Sequence, residues 1–147
     1  VGEDTGHYYY RIRRGELQKQ IAWSTVQLGP EHESIVFRSQ DLGNLITAYK
    51  RSSGRRLSAT FAVIQMSEVL SYCFIREGIV GDVFTREDKR RLGLGQSVLS
   101  AAIEWGLEFK EEVLYSMLKS NTASSALCKS VGFKFWFEFF KYRARPL

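Results

Sequence analysis

Apolar and polar positions follow two different rhythms along this chain, and the rhythm changes near Ser58. From there come three short runs rich in Val, Ile, Phe and Tyr: ATFAVIQ, VLSYCFI and IVGDVFT, separated by Met66-Ser67-Glu68 and by Glu77-Gly78. Runs of that length, bounded by turn residues, predict three consecutive antiparallel strands. In the next stretch, RRLGLGQSVLSAAIEWG, Leu94, Val98, Leu99, Ala102, Ile103 and Leu107 recur with a helical period. An amphipathic helix is expected from Gly95 to about Lys110. VLYSML (Val113 to Leu118) then reads as a strand, ASSALCKSV as a short helix closed by Gly132, and FKFWFEFFKYRA as a final, very aromatic strand.

Ahead of Ser58 the pattern is looser. HYYYRIRR, His7 to Arg14, has the aromatic and β-branched character of a first strand, and a helix is expected from about Leu17 to Leu28, ended by Gly29 and Pro30. A second helix is expected with Ser39 as its N-cap, Leu42, Leu45, Ile46 and Tyr49 on one face, and Gly54 as terminator. The order β-α-α-β-β-β-α-β-α-β predicts an α/β domain with a mixed sheet.

Composition narrows the class. A chain of 147 residues without repeats, low-complexity tracts or a Pro-rich linker predicts one domain spanning residues 1–147. Because it starts at Val1, it is expected to be excised or processed from a longer chain. No apolar run approaches the roughly 20 residues of a membrane-spanning helix, so a soluble protein without a membrane partner is expected. Cys73 and Cys128 lie in apolar surroundings with no CxxC pair and no His cluster, which points away from zinc and from a disulfide framework. A reducing, intracellular and cytoplasmic setting is the expectation. The net charge of +5 favours an anionic partner in general. A nucleic-acid-binding domain is a remote alternative, resting on that charge and on the Lys50, Arg51, Arg55, Arg56 cluster.

Gly93 and Gly95 stand where the helical pattern begins, directly after Arg90 and Arg91. Unpaired backbone amides at a helix start attract anions, and glycine lets a phosphate approach the backbone without a Cβ in the way. On spacing alone the same glycines serve equally well to relieve a tight turn. A second stretch, NTASSALCKSVGF from Asn121 to Phe133, adds to the picture.

Together the two stretches resemble the GNAT superfamily of acyl-CoA-dependent N-acyltransferases. Arg90, Gly93 and Gly95 match its pyrophosphate loop, and Asn121, Ser124, Leu127, Gly132 and Phe133 match its second motif. The resemblance is carried by Ala59 to Trp136, and the short ending is more similar to the glycine N-acyltransferase branch than to members with a long closing hairpin. It implies a mixed central sheet with helices on both faces and acetyl-CoA, or another acyl-CoA, as co-substrate. It implies further that Val83, Phe84 and Thr85 pair with the pantetheine arm, that the amides of Arg91, Leu92, Gly93, Leu94, Gly95 and Gln96 hold the pyrophosphate, and that Asn121 and Ser124 meet the cofactor from the other side. Arg86, Lys89, Arg90, Arg91 and Lys129 would make the entrance positive.

For chemistry, the resemblance implies direct attack of a primary amine, on a small molecule or a peptide, within a ternary complex. Members of the family protonate the departing thiolate with a tyrosine at a position that is Cys128 here; Cys128 is either a donor in its place or a small core residue, with Tyr115 and Tyr142 as other donors. The family's general base falls in register with Ile79; Glu77, on the same strand face, is the candidate, whereas Asp82 points to the opposite face unless a bulge intervenes. Trp23, Tyr8 to Tyr10, Phe135, Trp136, Phe137 and Tyr142 are candidates for an aromatic acceptor wall. A CoA-binding or sensing module without turnover is the alternative, because the tyrosine is missing and the carboxylate displaced.

Overall fold

The computed structural model describes residues 2–144, with side chains described for residues 6–139. In chain order the elements are β1 (Gly2–Arg13), β2 (Val26–Gln27), α1 (Glu33–Arg38), α2 (Leu45–Ser52), β3 (Ser58–Gln65), β4 (Glu68–Arg76), β5 (Ile79–Thr85), α3 (Leu94–Gly106), β6 (Glu112–Leu118), α4 (Thr122–Ser130) and β7 (Lys134–Ala144). The strands form one sheet in the order β2-β3-β4-β5-β6-β1-β7. Every pairing is antiparallel except β5 with β6. The fold is therefore the mixed α/β arrangement that the order of apolar runs implies, with β1 inserted between β6 and β7.

Two cores lie on opposite faces of the sheet. On one, Val98, Leu99, Ala102 and Ile103 of α3 meet Ala59, Phe61, Val63, Cys73, Ile75, Val113 and Tyr115, and Cys128 of α4 joins the same cluster. On the other, Val36, Leu45, Ala48 and Tyr49 of α1 and α2 meet Ala62, Tyr72 and Phe74. Strands β3 and β4 are buried on both faces, as their nearly unbroken apolar runs require.

Two expectations are overturned before Ser58. Residues 14–25 form no helix. They run as an extended segment across α3, where the Ser97 hydroxyl accepts from the amides of Ala22 and Trp23 at 3.2 Å and the Ser100 hydroxyl accepts from that of Gln20 at 3.1 Å. Two fully buried serines on α3 thus satisfy amides that a helix would have bonded internally. Ser39 does not open a helix but closes α1, its hydroxyl donating to the Ile35 carbonyl at 2.8 Å. Gly43, at φ +53°, separates α1 from α2. Helix α3 ends at Gly106, short of Lys110.

Candidate active site

Strands β5 and β6 pair at only two positions, Ile79 with Leu114 and Val80 with Tyr115. Beyond that rung β5 continues to Thr85 and β6 to Leu118 without pairing each other. The sheet is split there by a wedge, and among the described residues one edge of β5 from Gly81 onward has no strand partner.

A bulge sits at the wedge's inner end. Ile75 pairs with Val80 but Phe74 with Asp82, so Gly81 is the extra residue. Only glycine fits, since a Cβ there would lie 2.6 Å from the Phe74 ring. The bulge reverses the alternation: Val80 points into the α3 core, while Asp82, opposite Phe74, faces the α1 and α2 side with Ile79. Asp82 is half-buried, and its charge adds to the burial that pushes the hydroxyls of Tyr72 and Tyr115 up to about 12. It raises the Cys73 thiol further in the same way.

On the α3 and α4 face a pocket of about 630 Å³ opens beside the wedge, lined by Val83, Phe84, Thr85, Arg90, Arg91, Gly93, Leu94, Gly95, Gln96 and Ser124, with Ala123, Ala126, Leu127 and Ser130. Both sequence stretches singled out above meet in it. Gly93 takes φ +81°, a left-handed conformation that lets the loop turn into α3, and among the described residues no side chain caps the helix. The loop is held from behind: the Trp23 indole N–H donates to the Leu92 carbonyl at 2.7 Å. Gln96 ties α3 to α4 through the Ser130 hydroxyl at 3.0 Å. Arg90 and Arg91 are exposed and make no ion pair among the described residues, whereas Arg86 is taken by Glu68 and Asp88, at 2.9 Å each.

The remaining candidates are placed differently. Asn121 lies outside the pocket lining and caps α4, its side-chain oxygen accepting from the Ser124 amide at 3.1 Å. Leu92 is also outside the lining. Glu77 occupies the turn between β4 and β5 at φ +51°, exposed, beyond the closed end of the wedge. It is not brought together with the pocket. Cys128 is fully buried, its thiol donating to the Ser125 carbonyl at 3.3 Å; burial pushes it up to about 12.

The aromatic residues divide between faces. Tyr8 and Tyr10 pack edge-on against Phe135, and the Tyr10 hydroxyl bonds Ser125 at 2.5 Å, on the α4 side. On the opposite face Tyr9 stacks on Phe137 at 4.6 Å and the Arg11 guanidinium lies 4.6 Å over Trp136. Trp136, Phe137 and Phe139 are exposed there. Trp23 braces the glycine loop from the segment ahead of β2, and the Tyr142 side chain lies outside the described residues.

No protein-family model and no curated protein sequence matches the chain. Solved structures do match. An acetyltransferase of the GNAT family from Colwellia psychrerythraea superposes with a TM-score of 0.72 at 14% identity, over 95% of this chain and 55% of that one. A GCN5-related N-acetyltransferase-like protein from Streptococcus suis gives 0.67 at 16% identity, over 98% and 63%. AAC(6')-Iy, solved with the bisubstrate analogue CoA-S-monomethyl-acetylneamine, gives 0.69 at 14% identity, over 84% and 98%. The chain thus has the fold of the GNAT acetyltransferases, and it spans 56% to 63% of the length of three such neighbours. No described helix is long and apolar enough to cross a membrane.

Proposed function

We propose that the chain transfers an acyl group, acetyl in the first instance, from acyl-CoA to a primary amine within a ternary complex. The observation that carries this reading is the wedge between β5 and β6, open to the glycine-loop pocket on one face of the sheet and to the Asp82 carboxylate on the other. The donor's pyrophosphate lies on the amides of residues 91–96 with Arg90 and Arg91 beside it. Its pantetheine arm runs along the unpaired edge of β5 at Val83 to Thr85, as an added strand would. The thioester then reaches the bulge.

The acceptor amine approaches from the opposite face, where the exposed aromatic residues of β7 offer an apolar wall. Asp82, on that face beside the thioester, takes the proton of the attacking amine, the role first considered for Glu77. The amide groups freed by the bulge and the wedge are suited to polarising the thioester carbonyl. That the chain is one such domain, acting on its own or within a longer protein, belongs to the same proposal.

A CoA-binding module without turnover is the second reading, and the buried Cys128 favours it. Release of free CoA from acetyl-CoA, followed across a panel of aliphatic and aromatic primary amines, separates the two. Thiol release that depends on the amine is expected. Tight acetyl-CoA binding with none on any amine would leave the binding module standing.

A further inference from the structure

Helices α1 and α2 cover only part of their face of the sheet, packing on β3 and β4 through Leu45 and Tyr49 against Ala62, Tyr72 and Phe74. Farther along that face β6, β1 and β7 stay open among the described residues. Burial alternates along β6: Val113, Tyr115 and Met117 belong to the α3 core, whereas Leu114 and Ser116 are half-buried and Leu118 is exposed. On β7, Trp136, Phe137 and Phe139 are 38–51% exposed on the open face. A joined apolar surface of this kind marks a contact site. One charge stands inside it. Arg11, on β1, is half-buried with its guanidinium 4.6 Å over the Trp136 ring, and its side chain makes no ion pair or hydrogen bond among the described residues. A guanidinium lying over an indole keeps N–H donors for a carboxylate.

Asp82 lies at the other end of the same face. Ile79, on its side of β5, is level with Leu114, and Leu114 with Arg11. Two strand spacings across and two residues along put the Cα atoms of Asp82 and Arg11 about 12 Å apart. An extended peptide advances about 3.4 Å per residue, so one whose amino terminus meets Asp82 brings its third or fourth residue to Arg11. An open sheet face lacks the concave walls that enclose a small ligand, and an extended chain lying across it suits the surface better. Resting on the acyl-transfer reading, we propose that the acceptor is the amino terminus of a peptide with an acidic third or fourth residue, and that Arg11 selects it. The apolar second residue lies on Leu114 and on the stacked Tyr9 and Phe137 rings, and the acidic side chain accepts from the Arg11 guanidinium. Trp136 holds that guanidinium on the face. Arg11 sets specificity and takes no part in the proton transfer.

The test uses two peptides with a free amino terminus, an apolar second residue and an amidated, dye-labelled C-terminus, differing only in glutamate or glutamine at the third and fourth residues. Fluorescence anisotropy with the CoA-loaded protein reads binding, and thiol release from acetyl-CoA reads kcat/KM. The wild-type protein should favour the glutamate peptide about tenfold in both, the value of one partly exposed charge-assisted hydrogen bond. Arg11→Gln should bring the ratio of the two peptides to about one, and Arg11→Glu should turn the preference toward a peptide with lysine at those positions, with melting curves showing that each variant is folded. Equal use of both peptides by the wild type, or a preference that survives Arg11→Gln, would overturn the inference while acyl transfer stood. Selective binding that Arg11→Gln abolishes, with no thiol release on any peptide or amine, would keep Arg11 as the reader of acidic peptides and overturn the transfer reading instead.

Discussion

Gly95→Ala separates the two things a glycine can do in the loop before α3. Unlike Gly93, Gly95 lies inside the helix without a positive φ, so alanine meets no backbone strain. A Cβ there would stand 3.5 Å from the Leu127 methyls and 3.7 Å from the Thr85 hydroxyl, which is ordinary van der Waals contact. Alanine in a helix is favoured over glycine by about 0.5–1 kcal/mol, with the lower figure suited to a first turn. For a chain of this size that raises the melting temperature by about 1–2 °C. The added methyl nevertheless projects between α3, α4 and β5, into the pocket assigned to the pyrophosphate. Moving the phosphates away loses one or two charge-assisted hydrogen bonds, each about 1.5–3 kcal/mol, and so weakens CoA binding at least about tenfold. Calorimetric titration of CoA into both proteins, with melting curves of each alone, reads both effects. A stabilised variant that binds CoA as tightly as the parent would refute the assignment of the loop.

Other expectations follow from the same geometry. Trp23→Phe removes the hydrogen bond to the Leu92 carbonyl and should weaken CoA binding about two- to tenfold by loosening the loop, read in the same titration. Asp82→Asn should lower turnover about a hundredfold with CoA affinity intact, since general-base catalysis contributes on that scale; equal loss of affinity would mean that Asp82 serves binding instead. Stability should fall steadily as pH rises above about 9. In the unfolded chain Tyr72, Tyr115 and the two thiols ionise from there upward, whereas in the fold burial first, and then the Asp82 charge on all but Cys128, hold their pKa values up. The stabilising contribution is complete below the unfolded values and is lost toward the folded ones near 12. Urea midpoints at pH 8 and pH 10.5 measure it, and equal midpoints would contradict the burial described. Cys73 and Cys128 should resist alkylation at pH 8 until the protein unfolds.

The strands from Ser58 onward, α3 and α4 were legible because their apolar periodicity is also what buries them. The failures before Ser58 share one cause, namely that local pattern was overridden by partners distant in sequence. Leu17 to Leu28 has helix-compatible spacing, but nothing in the segment announces that Ser97 and Ser100, some 75 to 80 residues on, would capture its amides. Ser39 is as good at closing a helix as at opening one, and only Val36 fully buried against the sheet reveals that a short helix precedes it. The insertion of β1 between β6 and β7 is a matter of long-range pairing, which alternation within one strand does not encode.

The site divides in the same way. The glycine loop was readable because its chemistry is local: a left-handed turn, a helix start and neighbouring arginines. The face of Asp82 depended on a single extra residue, and the signal was present as Gly81, between Val80 and Asp82 inside a strand, where glycine weakens pairing unless a bulge or close contact needs it. Tyr8, Tyr9 and Tyr10 alternate across the sheet, and the register shift of β7 opposite Tyr9 and Tyr10 puts Trp136 on the same face as Phe137, so the expected single wall became two.

The central claim, that the pocket beside the wedge holds an acyl-CoA, is tested most directly by thermal unfolding with and without acetyl-CoA. At about 100 times its dissociation constant the ligand should add about 2.7 kcal/mol and raise the midpoint by several degrees, with Gly95→Ala losing most of that rise. An unchanged midpoint at millimolar acetyl-CoA would leave the fold intact and contradict the function proposed for it.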